Sequence, residues 1–196
     1  MQAFAQALGV GCNHCHTAER GSGQPEPKKD IARAMMAMTR DINQKLEATL
    51  GPAQAAAARV ECVTCHRGVP IPKQLGDILS ETMKAKGAEA AVDQYKELHN
   101  EFYGRDAYDF GDQTIVGLAQ QIGSRRPDDA LALLNAHLEF HPKSARTLAA
   151  ISYIYTRKFD DATAIKYLER AVEIEPENGV FQGQLEQLKS YQRRKQ

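Results

Sequence analysis

The pattern Cys-x-x-Cys-His occurs twice in this chain, in "GCNHCHTAER" and again in "ECVTCHRGVP". The first copy is Cys12, Cys15 and His16, and the second is Cys62, Cys65 and His66. These are all four cysteines of the 196 residues. Two thiols three residues apart lie on one helical turn, and the histidine that follows rides on the same turn. The chain must therefore fold around something gripped by sulfur and approached by an imidazole, twice over.

Three chemistries use such a pair. A zinc ribbon joins two Cys-x-x-Cys sites about 15–20 residues apart, and the spacing here is far longer. A redox dithiol of thioredoxin type needs one motif inside a βαβ pattern, and no strands are evident. Covalent haem attachment is the third: two thioether bonds tether the porphyrin, and the adjacent histidine is placed under the iron as proximal ligand. Two motifs that use every cysteine favour haem, with structural zinc as the alternative.

Composition narrows the field further. Formal charge balances to +0, so no global basic field points to nucleic acid. No apolar run approaches the roughly 20 residues of a membrane span. The start, "MQAFAQALGV", has neither a basic head nor a long apolar stretch, so no signal sequence is expected in it. Haem attachment of this type takes place outside the cytoplasm. The chain is therefore expected to be a processed or truncated mature form, periplasmic or extracellular, with Met1 internal to its precursor.

Periodicity predicts helices around both motifs. "QAFAQAL" (2–8) consists of good helix formers running into Gly9. "RGSGQPEPKKD" (Arg20 to Asp30) is a loop by its Gly, Pro and charge content. An amphipathic helix follows, with Ile31, Met35, Met38, Ile42 and Leu46 on one face, Asp30 as its expected N-cap and Gly51-Pro52 as its end. "AQAAAARVE" makes a short helix into the second motif. Few large aliphatic side chains occur in this third of the chain, which would be marginal alone. Two flat apolar porphyrins would supply the missing core.

"MQAFAQALGVGCNHCH", "KKDIARAMMAMTRDIN" and "CVTCHRGVPIP" resemble one half of the cytochrome c subunit of photosynthetic reaction centres. The resemblance covers about residues 1–73 and implies repeats of a helix, a turn and a Cys-x-x-Cys-His segment. It further implies a methionine from the preceding helix as sixth iron ligand. Carried over by motif, Met35 of "ARAM" would serve the iron held by His66, and Met1 the iron held by His16. That family carries four haems, and this chain has sites for two. One family haem takes a second histidine from a helix that here reads "NQKLEATL" and has none.

From spacing alone, Met35 and Met38 are as well read as ordinary apolar packing; the resemblance implies Met35 as the ligand and leaves Met38 packing against haem, while Met36 faces another side and is expected in neither role. His14 is expected to point away from the iron, and His99, His137 and His141 are expected at surfaces. Arg20, Arg33 and Arg67 could pair with haem propionates or simply be solvated.

The second half carries a repeat. "DDALALLNAHLEFHP" (128–142) aligns with "DATAIKYLERAVEIEP" (161–176) at an offset of 34 residues, matching Ala130 with Ala164, Leu134 with Leu168 and Pro142 with Pro176. That is the tetratricopeptide period, and the pattern resembles that repeat family. A looser copy begins at Leu75, with helices over 75–87 and 88–102, and a last helix from about Gly179 to Tyr191 would cap the stack. "VPIPK" (69–73) reads as an extended linker.

The expectation is an all-α protein: a dihaem c-type cytochrome domain over 1–73, then tetratricopeptide-like repeats with a capping helix over 74–196. It would carry electrons between redox proteins, a donor and an acceptor, with the repeats docking a partner or another copy of the chain. It would not act as an enzyme. A polymeric cytochrome filament, or a dihaem peroxidase or reductase should one iron be five-coordinate, are the alternatives.

Overall fold

The computed structural model describes residues 2–16 and 27–195. All regular structure among these residues is helical, as the sequence predicts: eleven α-helices and one 3-10 turn. The chain divides into two compact units, 1–73 with 104–107, and 74–103 with 108–196.

In the first unit, α1 spans Gln2–Leu8 and the 3-10 turn spans Cys12–His14. They are followed by α2 (Pro27–Leu50), α3 (Pro52–Ala57) and α4 (Cys62–His66). Helix α2 begins earlier than its periodicity suggests. Asp30 is therefore not the N-cap but a residue of the first turn, where its carboxylate faces the positive end of the helix and pairs with Arg33. Pro27 at the start suits a position where a backbone N–H has no helical partner anyway. Gly51, at φ 77°, ends α2, and Pro52 opens α3. Helix α1 packs on α4, and α2 on α3. The only buried apolar side chains among the described residues of 1–73 are Ala7 and Val69.

The second unit contains α5 (Leu75–Lys86), α6 (Ala88–Phe102), α7 (Asp112–Gly123) and α8 (Pro127–Phe140). It continues with α9 (Ala145–Arg157), α10 (Asp161–Ile174) and α11 (Gly179–Lys195). Consecutive helices pack in pairs, α5 on α6, α7 on α8 and α9 on α10, while α7 also touches both α5 and α9. Ser144 and Asp160 cap α9 and α10 by accepting the N–H groups of Thr147 and Thr163. One core gathers Leu79, Tyr95, Ile115, Leu133 and Ile151. A second joins Leu148, Leu168 and Ala171 to Phe181, Leu185 and Leu188 of α11.

The histidines of this unit are not surface residues as expected. His137 is fully buried, His99 is 7% exposed and His141 is half-buried. Tyr95 Oη lies 2.8 Å from His137 Nδ1, and His137 Nε2 lies 2.9 Å from Asp112 Oδ1, a buried chain from α6 through α8 to α7. His99 stacks on Phe140 with ring centres 3.8 Å apart and on Tyr103 at 4.4 Å. The packing that hides these rings comes from three helices distant in sequence, so no local pattern announces it.

Candidate functional site

The first Cys-x-x-Cys-His segment closes as a tight turn. His14 N–H donates to Gly11 O at 3.0 Å, and His16 N–H to Cys12 O at 3.1 Å. The second segment is α4 itself. Glu61 N–H donates to Thr64 Oγ1 at 3.0 Å, which fixes the start of that turn. Its end is set by Arg67 and Gly68, both left-handed at φ 49° and 86°. In each copy the two cysteines and the histidine thus fall within one turn, which can present both thiols and one imidazole to a single flat group.

The thiols are free: Cys12 and Cys65 are exposed, Cys15 and Cys62 half-exposed. Among the described residues no three His, Cys, Asp or Glu side chains gather into a cage for an ion. The four thiols therefore stand as two separate pairs.

His66 is oriented by its own loop. Its Nδ1 lies 3.0 Å from Val69 O, and Val69 N–H donates back to His66 O at 2.9 Å. A carbonyl can only accept, so Nδ1 carries the proton and Nε2 keeps its lone pair for a metal. Val69, expected as the start of a linker, is the buried anchor of this loop. His16 is exposed, and residues 17–26 that follow it lie outside the described residues, as do Arg20 and the proposed ligand Met1.

The two segments are tied to each other through α1. Gly68 N–H donates to Ala7 O at 2.9 Å. Gly9, at φ 65°, comes so close to Gly68 that a Cβ on it would lie 2.0 Å from Gly68 O. This crossing requires the glycine at Gly9, while Gly68 is favoured by its own left-handed φ of 86°, and the sequence does not show that the two meet. Asn43 was missed as well. Its Nδ2 donates to Val60 O at 2.8 Å and its Oδ1 accepts from Val60 N–H at 2.9 Å, fastening α2 to the segment that leads into the second motif. An asparagine inside a long helix is mildly unfavourable, and that was its available signal.

Met35 lies on α2 with Ile31 and Met38, all three exposed, Met35 at 44%. A 24-residue helix that buries none of its side chains needs an apolar partner for that stripe, and a porphyrin face fits the requirement. Arg33 is engaged by Asp30, and Arg67 serves as the C-cap of α4. His14 is half-buried in the first turn. The donor set and the uncovered stripe both fit covalently bound haem c.

Two such turns on a small helical unit with little core of its own describe a c-type cytochrome. The family described as "Photosynthetic reaction centre cytochrome C subunit" matches residues 1–105, more than half of the sequence, and the chain belongs to that family. It is 40% identical over 65 residues to the photosynthetic reaction center cytochrome c subunit of Rubrivivax gelatinosus, covering 33% of this chain and 16% of that protein. Cytochrome c-554 of Chloroflexus aurantiacus is 36% identical over 69 residues, 35% of this chain and 16% of its own length. The Roseobacter denitrificans reaction center subunit is 30% identical over 103 residues, 47% of this chain and 28% of that protein. The chain thus spans well under a third of the length of these relatives.

Proposed function

We propose that this protein is an extracytoplasmic electron carrier with two covalently attached haems. One would be held by Cys12, Cys15 and His16 and the other by Cys62, Cys65 and His66. Bound haem c supplies a one-electron centre that cycles between ferric and ferrous iron. The thiols would hold the group by thioether bonds, and each histidine would offer a ring nitrogen to the iron, Nε2 in the case of His66. The hydrogen bond from His66 to Val69 O holds the ring in one tautomer and raises its basicity. Met35 would serve as a further ligand to the iron held by His66, and Met1 to the iron held by His16. Were Met1 and Met35 both to hold iron, no site would be left open for a substrate, and a carrier would be favoured over a peroxidase or reductase. The second unit, with its paired helices, would dock the redox partner.

The observation that carries this reading is the His66–Val69 hydrogen bond beside the free thiols, because it prepares an imidazole lone pair where a tethered iron needs one. The test is spectroscopic. Exported protein is denatured, extracted with acidified organic solvent and titrated with reductant. Visible absorption should stay with the polypeptide, and alkaline pyridine should report two haems per chain. Absorption that leaves with the solvent, or one haem per chain, overturns it.

A further inference from the structure

The helices of the second unit end alternately at two edges, and the edges differ in charge. A Cβ on Gly76 would lie 3.9 Å from Thr114 Cγ2, which sets the starts of α5 and α7 side by side. Arg146 Nη1 donates to Gln113 Oε1 at 2.6 Å, which does the same for α7 and α9. Lys189 of α11 pairs with Glu169 of α10 at 2.6 Å, so α11 runs back along α10 and ends beside its start. Helices α5, α7, α9 and α11 therefore finish at one edge. Lys84 and Lys86 close α5, and Arg125 and Arg126 follow α7. Arg157 and Lys158 close α9, and Arg193 and Arg194 lie in the last turn of α11. All of these cations are exposed. The helix dipole favours cations at helix ends, yet it does not explain the pattern. Helices α6, α8 and α10 finish at the other edge, and their last turns hold Glu101, Glu139 and Glu173, against the dipole. The polarity belongs to the edges.

Carboxylates at the basic edge are mostly engaged. Asp128 and Asp129 pair with Lys158 and Arg126, Asp160 caps α10 and Asp161 is buried, which leaves Glu89 exposed. Phe159 stands in the same edge, between α9 and α10. It is 83% exposed, more than any other large apolar side chain among the described residues. Its N–H donates to Thr156 O, and that of Asp160 to Tyr155 O, both at 3.0 Å. Phe159 thus fills the left-handed position that closes a helix, at φ 61°, where glycine is the usual residue. A phenylalanine is strained there by its Cβ, and its ring is left in water. Neither the fold nor solubility is served by that side chain. Contact with an apolar phase outside the chain would be.

We infer that this edge seats the protein on an anionic lipid bilayer, with Phe159 entering the interface and the cations of the helix ends over the headgroups. Axes of packed helices lie about 8–10 Å apart, so the ends of α5, α7, α9 and α11 spread their charge over roughly 25–30 Å. A single projecting ring among dispersed cations suits a bilayer, which needs no matching rim. A protein pocket would need apolar neighbours around Phe159 to exclude water. No described helix is long and apolar enough to cross a membrane, and the attachment inferred here is peripheral. One aromatic anchor with a set of cations gives reversible binding.

The test is co-sedimentation of the full haem-loaded chain with vesicles of phosphatidylcholine, alone or mixed with phosphatidylglycerol. Binding should require the phosphatidylglycerol and weaken as salt rises. Changing Lys84 and Lys86 together to Gln, or Arg193 and Arg194 together to Gln, should lower the partition coefficient about tenfold. Phe159→Gly should lower it about fivefold while keeping or raising the melting temperature, because it removes the strained Cβ. Loss of binding is then not loss of fold. Changing Glu175 and Glu177 to Gln, at the other edge, should not lower it. Failure to bind either vesicle, binding that Phe159→Gly leaves unchanged, or equally tight binding of soluble polyglutamate, which would mark an acidic protein as the partner, overturns the inference. Binding is read from protein in the pellet, so a missing haem spectrum would count against the electron-carrier reading alone.

Discussion

The carboxamide of Asn43 holds the backbone of Val60 at both its N–H and its carbonyl, at 2.9 and 2.8 Å. One side chain thereby ties the helix that carries Met35 to the turn that carries His66, across seventeen residues. Asn43→Ala would leave two half-buried backbone groups without partners, at a cost of about 1–3 kcal/mol. The thermal melt of the haem-loaded protein, followed in the visible band, should fall accordingly. Asn43→Leu, which keeps the volume but neither hydrogen bond, should fall as far. A melt unmoved by either change would mean that the clamp is incidental.

Axial ligation can be assigned by deletion. Met35 and Met38 lie one turn apart on the same face of α2, so either could in principle reach an iron. We expect Met35→Ala to remove about half of the weak near-infrared methionine-to-iron band of the oxidised protein, Met1→Ala to remove the rest, and Met38→Ala to leave it in place. If Met38→Ala abolishes the band and Met35→Ala spares it, the ligand assignment is off by one turn.

The helices were legible wherever local rules decide them. The apolar period of 75–102 and the glycine at 87 delimit α5 and α6 within a residue. The paired motifs likewise announce the cytochrome family in two residue types, cysteine and histidine. What stayed hidden depends on contacts between distant segments. Nothing around His137 in "NAHLEF" shows that Tyr95 and Asp112 converge on it, and nothing beside Gly9 shows that Gly68 passes within contact of it. The start of α2 was misplaced because Pro27 looks like loop composition, although proline is well suited to a first helical turn.

The histidine cluster should make the second unit sensitive to acid. Burial, then the neighbouring imidazoles, hold His99 below its ordinary value of 6.5, and burial, then His137, does the same for His141 against the opposing pull of Asp112. The unfolded chain therefore takes up more protons as pH falls below about 6.5, and stability that is fully present above that pH is lost beneath it. Burial alone would raise Asp112, but hydrogen bonds with His137 and Ser144 outweigh it and keep the carboxyl below 3.8. Its contribution is present above that value and disappears only in stronger acid. Melting temperatures between about pH 7.5 and pH 5.5 should show the first loss. His99→Phe, which preserves the stack on Tyr103 and Phe140, should lessen it and leave the share carried by His141. A melt that is level across that range in the unmodified chain would sink the argument.

The two halves should depend on haem to different degrees. Apart from Ala7 and Val69, every buried apolar side chain among the described residues falls between Leu75 and Ala171, within the second unit. Residues 74–196 therefore carry their own core, whereas 1–73 must draw apolar contact from a bound group to balance the entropy of ordering the chain. Expressed in a cytoplasm, where haem is not attached, 74–196 should give a colourless helical protein with a cooperative melt. Residues 1–73 made the same way should show no cooperative transition, and the exported, haem-loaded form of 1–73 should regain one. Should 1–73 melt cooperatively without haem, the porphyrins are not its core, and the stripe of Ile31, Met35 and Met38 would need another partner.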